Sequence, residues 1–325
     1  MFIEKMKKTL CHTLRFTSIF AMLSVYHVAH AEILVILPET DALANASASI
    51  KQGLLEANKI NKNKYQLKFV DEQLAINEIY QRYVNKDTQL VIGPLNKADV
   101  EQLIKLQPKV KTLALNRVNG SAKNVYQFAL SKDEDAATLT RRMQVDGIEH
   151  IIVLREPASV EATQTFYDEM KELWGENFSD TARVTASHQR FDPNKQGILL
   201  LGSSEWMNQQ KLPTKNLYTI PYGIEEQAEL PTGLTFCDTP ALYNGQWQDV
   251  INAYKQKPVS MPLQRLLAFG GDAWQIADII ISKQKEKNLL NFKGRTGDLK
   301  IIDRTITRQA QCFSLNDGVL KQLEN

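Results

Sequence analysis

The chain has little of what most enzyme active sites and metal centres are made from. Five histidines and three cysteines stand among 325 residues. No Gly-x-Ser-x-Gly stretch is present, which excludes the nucleophile elbow of the α/β-hydrolases. Ser203 and Ser204 follow an apolar run, but without the flanking glycine pair. The first predicted strand leads into "LPETDALANAS", which contains no glycine, so the dinucleotide fingerprint is missing. "FKGRTGDL" has two glycines around Arg-Thr but lacks the spacing and the Gly-Lys-Ser/Thr ending of a phosphate loop. Clustered zinc ligands are absent from the sequence. The run Asp133-Glu134-Asp135 opens a predicted helix, where acids complement the macrodipole without any metal. The expectation is a protein with no catalytic residue, no metal and no cofactor.

An excess of one charge is also lacking. The formal net charge is +2, and the basic residues that make it so lie at the start: Lys5, Lys7, Lys8 and Arg15 against Glu4. Without residues 1–31 the rest of the chain is one charge negative, so no clustered basic surface for nucleic acid is expected. The basic head, the apolar stretch "FTSIFAMLSVYHV" and the exit Ala29-His30-Ala31 have the pattern of a secretory signal peptide. That stretch is shorter than the ~20 residues needed to span a bilayer. Cleavage near Ala31 is expected to leave a soluble chain with no membrane anchor, because Glu32 and not a cysteine follows. Two histidines then remain, His150 and His188, far apart and read as structural. Two cysteines remain, Cys237 and Cys312, compatible with one disulfide or with two buried thiols.

What is present is an alternation of short apolar runs with helical stretches. "EILVILPE", "YQLKFVDE", "QLVIGPL", "VKTLALN" and "VYQFAL" read as strands, with helices between the first four. After Leu130 a second series starts: a helix opened by Ser131 and Glu134 as a capping box, then "HIIVLRE", a helix, "QGILLLGS", "NLYTIPY" and "GLTFCDTP". "NAYKQKPVSMP" reads as a connection before a long apolar helix beginning at Asp272 as N-cap. The tail reads as strands joined by Gly-rich and Asn-Asp-Gly turns. Strand–helix alternation with short links predicts an α/β fold of parallel sheets and crossover helices.

Such lobes present ligands at the carboxyl ends of their strands. The candidate cleft residues are Pro38 and Glu39 after the first strand and Gly93, Pro94, Leu95, Asn96 and Lys97 after the third. Asn116 and Arg117 follow the fourth, and Arg155 and Ser203 end strands of the second series. Asn96 at the start of a helix allows two readings: free N–H groups hold an anion, or Asn96 caps its own helix and nothing binds.

Taken in order, "EILVILPE", "LVIGPLNKADVEQL", "TLALN", "VYQFALSKDEDAATL", "GLTFCDTP", "RLLAFGGDAWQIAD" and "GRTGDL" resemble the C-terminal domain of the LpoA family, outer-membrane lipoprotein activators of a class A penicillin-binding protein. The resemblance implies a type 1 periplasmic-binding-protein architecture with two Rossmann-like lobes. One lobe would comprise residues 32–130 and 241–302, the other 131–240 and 303–325, after a signal peptide at 1–31. It places Cys237 and Cys312 in one lobe, which favours a bridge. It also implies a periplasmic, non-enzymatic protein whose partner is a class A penicillin-binding protein, a peptidoglycan synthase. The alternative is a periplasmic solute-binding protein for a small amino-acid-like or muropeptide ligand. The bulky, charged turn Leu95-Asn96-Lys97 disfavours that alternative, since amino-acid binders line this turn with small hydroxyl residues.

Overall fold

A computed structural model describes residues 31–40, 42–180, 191–282 and 289–324. The expected signal peptide, apart from Ala31, and His188 lie outside the described residues. Chain order begins with β1 (Glu32–Leu37), α1 (Ala44–Ile60), β2 (Gln66–Asp71), α2 (Ile76–Tyr83), β3 (Thr88–Ile92), α3 (Lys97–Leu106), β4 (Lys111–Ala114) and β5 (Val125–Gln127). Next come α4 (Lys132–Val145), β6 (His150–Arg155), α5 (Val160–Trp174), β7 (Phe178–Asp180), β8 (Gln196–Leu201), α6 (Ser204–Gln209), β9 (Leu217–Thr219) and β10 (Leu234–Asp238). The chain closes with α7 (Gln248–Gln256), α8 (Met261–Ser282), β11 (Leu289–Lys293), β12 (Asp298–Ile302), β13 (Thr305–Gln309), β14 (Gln311–Asn316) and β15 (Val319–Gln322).

Two sheets result. The first has the order β11-β12-β13-β5-β4-β3-β1-β2 and the second β15-β14-β10-β9-β8-β6-β7. Strands β1 to β5 pair in parallel, as do β6 to β10, while β11, β12, β14 and β15 enter as antiparallel ribbons. Parallel strands covered by helices must bury both faces, which is why their sequences are continuous apolar runs. In β1, Ile33, Val35 and Leu37 enter one cluster while Leu34 and Ile36 enter the cluster behind it. In β8, Leu199 and Leu201 face one way and Ile198 and Leu200 the other. The period of two along each strand thus builds a core on each side of each sheet.

Three expectations are corrected. The long helix does not begin at Asp272: α8 starts at Met261 and runs unbroken through Gly270-Gly271. Those glycines let the helix lie against its neighbours, because a Cβ on Gly270 would stand 2.2 Å from the Ile50 carbonyl oxygen. Part of the expected connection "NAYKQKPVSMP" is the helix α7, whose Val250 and Ala253 are buried. The last crossing between sheets falls at Ala310 and not at 303. Strand β13 hydrogen-bonds to β12 across the Asp303 turn and to β5, so it stays with the first sheet.

Cys237 on β10 and Cys312 on β14 stand opposite each other in the antiparallel register and form a disulfide with an S–S distance of 2.03 Å. The Asn316-Asp317-Gly318 turn joins β14 to β15 with positive φ at Asp317 and Gly318, as a two-residue hairpin requires.

Candidate functional site

The turn after β3 is built tightly. Gly93 has φ +102°, and a Cβ there would meet the Ile36 carbonyl oxygen at 2.1 Å, so only glycine allows the chain to pass β1. Pro94 is buried, Leu95 packs on the apolar core, and Asn96 and Lys97 are exposed. Asn96 caps α3, its Oδ1 accepting from the Ala98 N–H at 2.9 Å. The two N–H groups before it are not free. The Leu95 N–H donates to Glu72 Oε2 at 3.0 Å and the Asn96 N–H to Glu72 Oε1 at 2.9 Å. Glu72, at the end of β2, thus sets its own carboxylate where an anion would sit. Burial pushes Glu72 up to about 7 against the two N–H bonds, and a bond with Asp99 adds to the rise.

The second lobe repeats the device. Glu156, just after β6, accepts the Ser203 N–H at 2.8 Å and the Ser203 hydroxyl at 3.0 Å, and also the Ser159 hydroxyl. Slight burial opposes its charge, but these hydrogen bonds together hold Glu156 below the usual carboxylate range. Ser203 also caps α6, its Oγ accepting from the Trp206 N–H at 3.2 Å. The sequence reading missed both glutamates. Glu72 closes the run "YQLKFVDE" and Glu156 follows Arg155, but nothing local says that their carboxylates turn onto another strand's exit.

The other candidates separate. Asn116 joins the first turn, its Nδ2 donating to the Leu95 carbonyl at 3.0 Å. Pro38 and Glu39 line a different hollow of 280 Å³ with Lys51 and Phe69, and the 93–97 turn takes no part in it. Arg155 points to α5: its Nη2 donates to the Val160 carbonyl at 2.9 Å and its guanidinium lies 4.1 Å from the Tyr167 ring centre. Arg117 reaches across to the second lobe, donating to Glu134 Oε1 at 2.7 Å. That pairing undoes the expected capping box. Glu134 is drawn to a partly buried guanidinium, a stronger partner than the Ser131 N–H, and the Ser131 hydroxyl is left without a hydrogen bond.

Two of the sequence motifs meet in one buried knot. Asp272 of "FGGDAW" accepts the N–H groups of Arg295 and Thr296 at 2.7 and 2.8 Å and the Thr296 hydroxyl at 2.6 Å. Arg295 of "GRTGDL" pairs in turn with Asp249 at 2.5 Å and lies over the Trp247 ring. The phosphate-loop look-alike is therefore a structural turn held by a helix carboxylate. Among the described residues no group of three His, Cys, Asp or Glu side chains is placed to hold a metal ion. No described helix is long and apolar enough to cross a membrane.

Two α/β lobes, each built on a mostly parallel sheet flanked by helices, define the type 1 periplasmic-binding-protein architecture. Within that class the chain is similar to the LpoA family. The profile of the family described as "LppC putative lipoprotein" matches residues 13–166. The penicillin-binding protein activator LpoA of Glaesserella parasuis is 23% identical over 256 residues, which cover 70% of this chain and 44% of the relative. The activator of the same name from Haemophilus ducreyi matches to the same extent. The chain thus spans less than half the length of the curated relatives it matches. In structure, the C-domain of Haemophilus influenzae LpoA, described as a regulator of PBP1A, superposes with a TM-score of 0.70 at 18% identity, covering 90% of this chain and 100% of the C-domain. A "putative branched-chain amino acid ABC transporter" protein of Chromobacterium violaceum also superposes at 0.70, with 23% identity over 87% of this chain and 99% of that one.

Proposed function

We propose that this chain is a non-enzymatic periplasmic docking protein that binds a class A penicillin-binding protein and stimulates its peptidoglycan synthesis. One observation carries the reading. The fold covers the whole LpoA C-domain, yet the strand exits that would grip a small solute are filled by Glu72 and Glu156 of the chain itself. A cleft that satisfies its own N–H groups has little left to offer a carboxylate. Its surface remains free for a protein.

The test is to purify the chain from the periplasm and add it to each class A synthase of the source cell. Co-purification with one of them and a faster glycan or peptide cross-linking rate are expected. Failure of every synthase to bind or respond would sink the reading. The solute-binding alternative draws on the transporter-like fold, and thermal shift with amino acids and muropeptides separates it. A true ligand at 100 times its Kd stabilises by about 2.7 kcal/mol, and a flat response is expected here.

A further inference from the structure

We propose that the seam between α4 and the β11–β13 ribbon is a docking groove for an extended acidic peptide segment of a partner protein. This inference rests on the protein-docking reading above and names its surface. A cavity of 660 Å³ lies between Ala137 and Arg141 of α4 and Phe292, Leu299 and Arg308 of the strands. A second hollow, of 320 Å³, opens further along α4 at Val145, Cys312 and Glu324. The two share Arg141 and Gln309, so they are consecutive stretches of one groove. None of the candidate cleft residues lines either stretch. Their positions at the cleft and the groove's position along α4 are separate features of the molecule.

The groove's chemistry limits its occupant. Ala137, Phe292 and Leu299 give it an apolar floor, and Val145 at its far end is 72% exposed, an uncovered apolar side chain. Most of the charges beside it are already matched: Lys293 with Asp298, Arg142 with Asp146, Arg308 with Asp135 and Glu134 with Arg117. Arg141 and Lys300 have no carboxylate partner among the described residues. Arg141 makes only a long hydrogen bond to Thr138, and Lys300 is exposed. Deeper in, Arg308 is 3% exposed and bound to Asp135, so Arg141 and Lys300 are the cations left for an occupant.

An extended peptide supplies each missing part. Its apolar side chains cover the floor, and its acidic side chains complement Arg141 and Lys300. A small carboxylate would fill one stretch and leave Val145 and the second hollow uncovered. Because α4 belongs to one lobe and β11–β13 to the other, a seated segment touches both.

The experiment measures binding of the full chain to a class A penicillin-binding protein and, separately, to a labelled octapeptide of alternating leucine and glutamate. Wild type is compared with Arg141→Glu/Lys300→Glu and with Lys97→Glu at the cleft lip, all checked for equal melting temperature. The double charge reversal is expected to weaken both interactions at least tenfold, while Lys97→Glu binds as wild type does. Rim charges act on association rate, so wild-type binding is also expected to fall with added salt. If no synthase binds but the octapeptide does and is lost in the double variant, the proposed partner class is wrong and the groove stands. The groove is overturned if the double variant binds both probes like wild type, or if wild type binds neither.

Discussion

At the scale of single residues, Glu72 is the side chain that holds the turn after β3. Its carboxylate takes the Leu95 and Asn96 N–H groups, and its burial raises it to about 7. An unfolded glutamate loses its proton near about 4.3. Between that value and about 7 the folded chain therefore binds more protons than the unfolded one. Stability from this group is greatest below the unfolded value and falls as pH rises to about 7. Glu72→Gln keeps an acceptor oxygen but has no proton to lose. The fall in urea midpoint from pH 4.5 to 7 should be smaller in the variant than in wild type. An equal or steeper fall in Glu72→Gln contradicts the assignment. Nothing in "YQLKFVDE" marks Glu72 as different from any acid at a strand end, because its role comes from β3 lying just beyond β1 in the sheet, which brings the turn after β3 within reach.

Among elements, α1 and α8 show how a weak helix former becomes necessary. Replacing a helical glycine with alanine ordinarily gains about 1 kcal/mol. At Gly53 the sign reverses, because a Cβ there would stand 2.1 Å from the Leu267 carbonyl oxygen and 3.1 Å from the Gly271 nitrogen. Backbone does not yield as a flexible side chain does. Gly53→Ala is expected to cost about 1–3 kcal/mol by forcing the helices apart, readable as a lower urea midpoint. A gain in stability would show that the two helices do not pack this closely. The strands were legible in the sequence because burial on both faces demands apolar runs, and β7, Phe178–Asp180, escaped because it has one apolar residue and no buried one. Helix starts were less legible. The capping box at Ser131 obeys the local rule, yet Glu134 answers to Arg117, which is distant in sequence.

On the scale of the whole molecule, α8 ties the two lobes. Met261 at its start sits in a core cluster of the second sheet, while Ile276 and Ile280 sit in that of the first. Just inside the start, Arg265 forms a two-bond pair with Asp238 at 2.8 and 2.6 Å and also donates to the Pro221 carbonyl. Asp238 is 1% exposed, so removing its partner strands a buried charge. Arg265→Met is expected to destabilise by about 3–5 kcal/mol. Amide exchange should quicken at Asp238–Tyr243 and at the first turn of α8, and adding Asp238→Asn should restore part of the loss. Unchanged exchange on both sides would mean that this pair does not join the lobes.

The sequence by itself determined the α/β class, the two series of parallel strands and the tight turn at Gly93. Each of these follows from local period, turn chemistry or residue type, which a linear reading sees. Only the tertiary structure decided that Glu72 and Glu156 bind the turns after β3 and β8, and that Asp272 lies inside a helix, holding the Arg295 turn. It alone showed that β13 remains in the first sheet and that a groove opens along α4. These depend on pairs of groups distant in the chain, and the energy that brings a carboxylate to a particular N–H or guanidinium comes from the packing of the sheets between them.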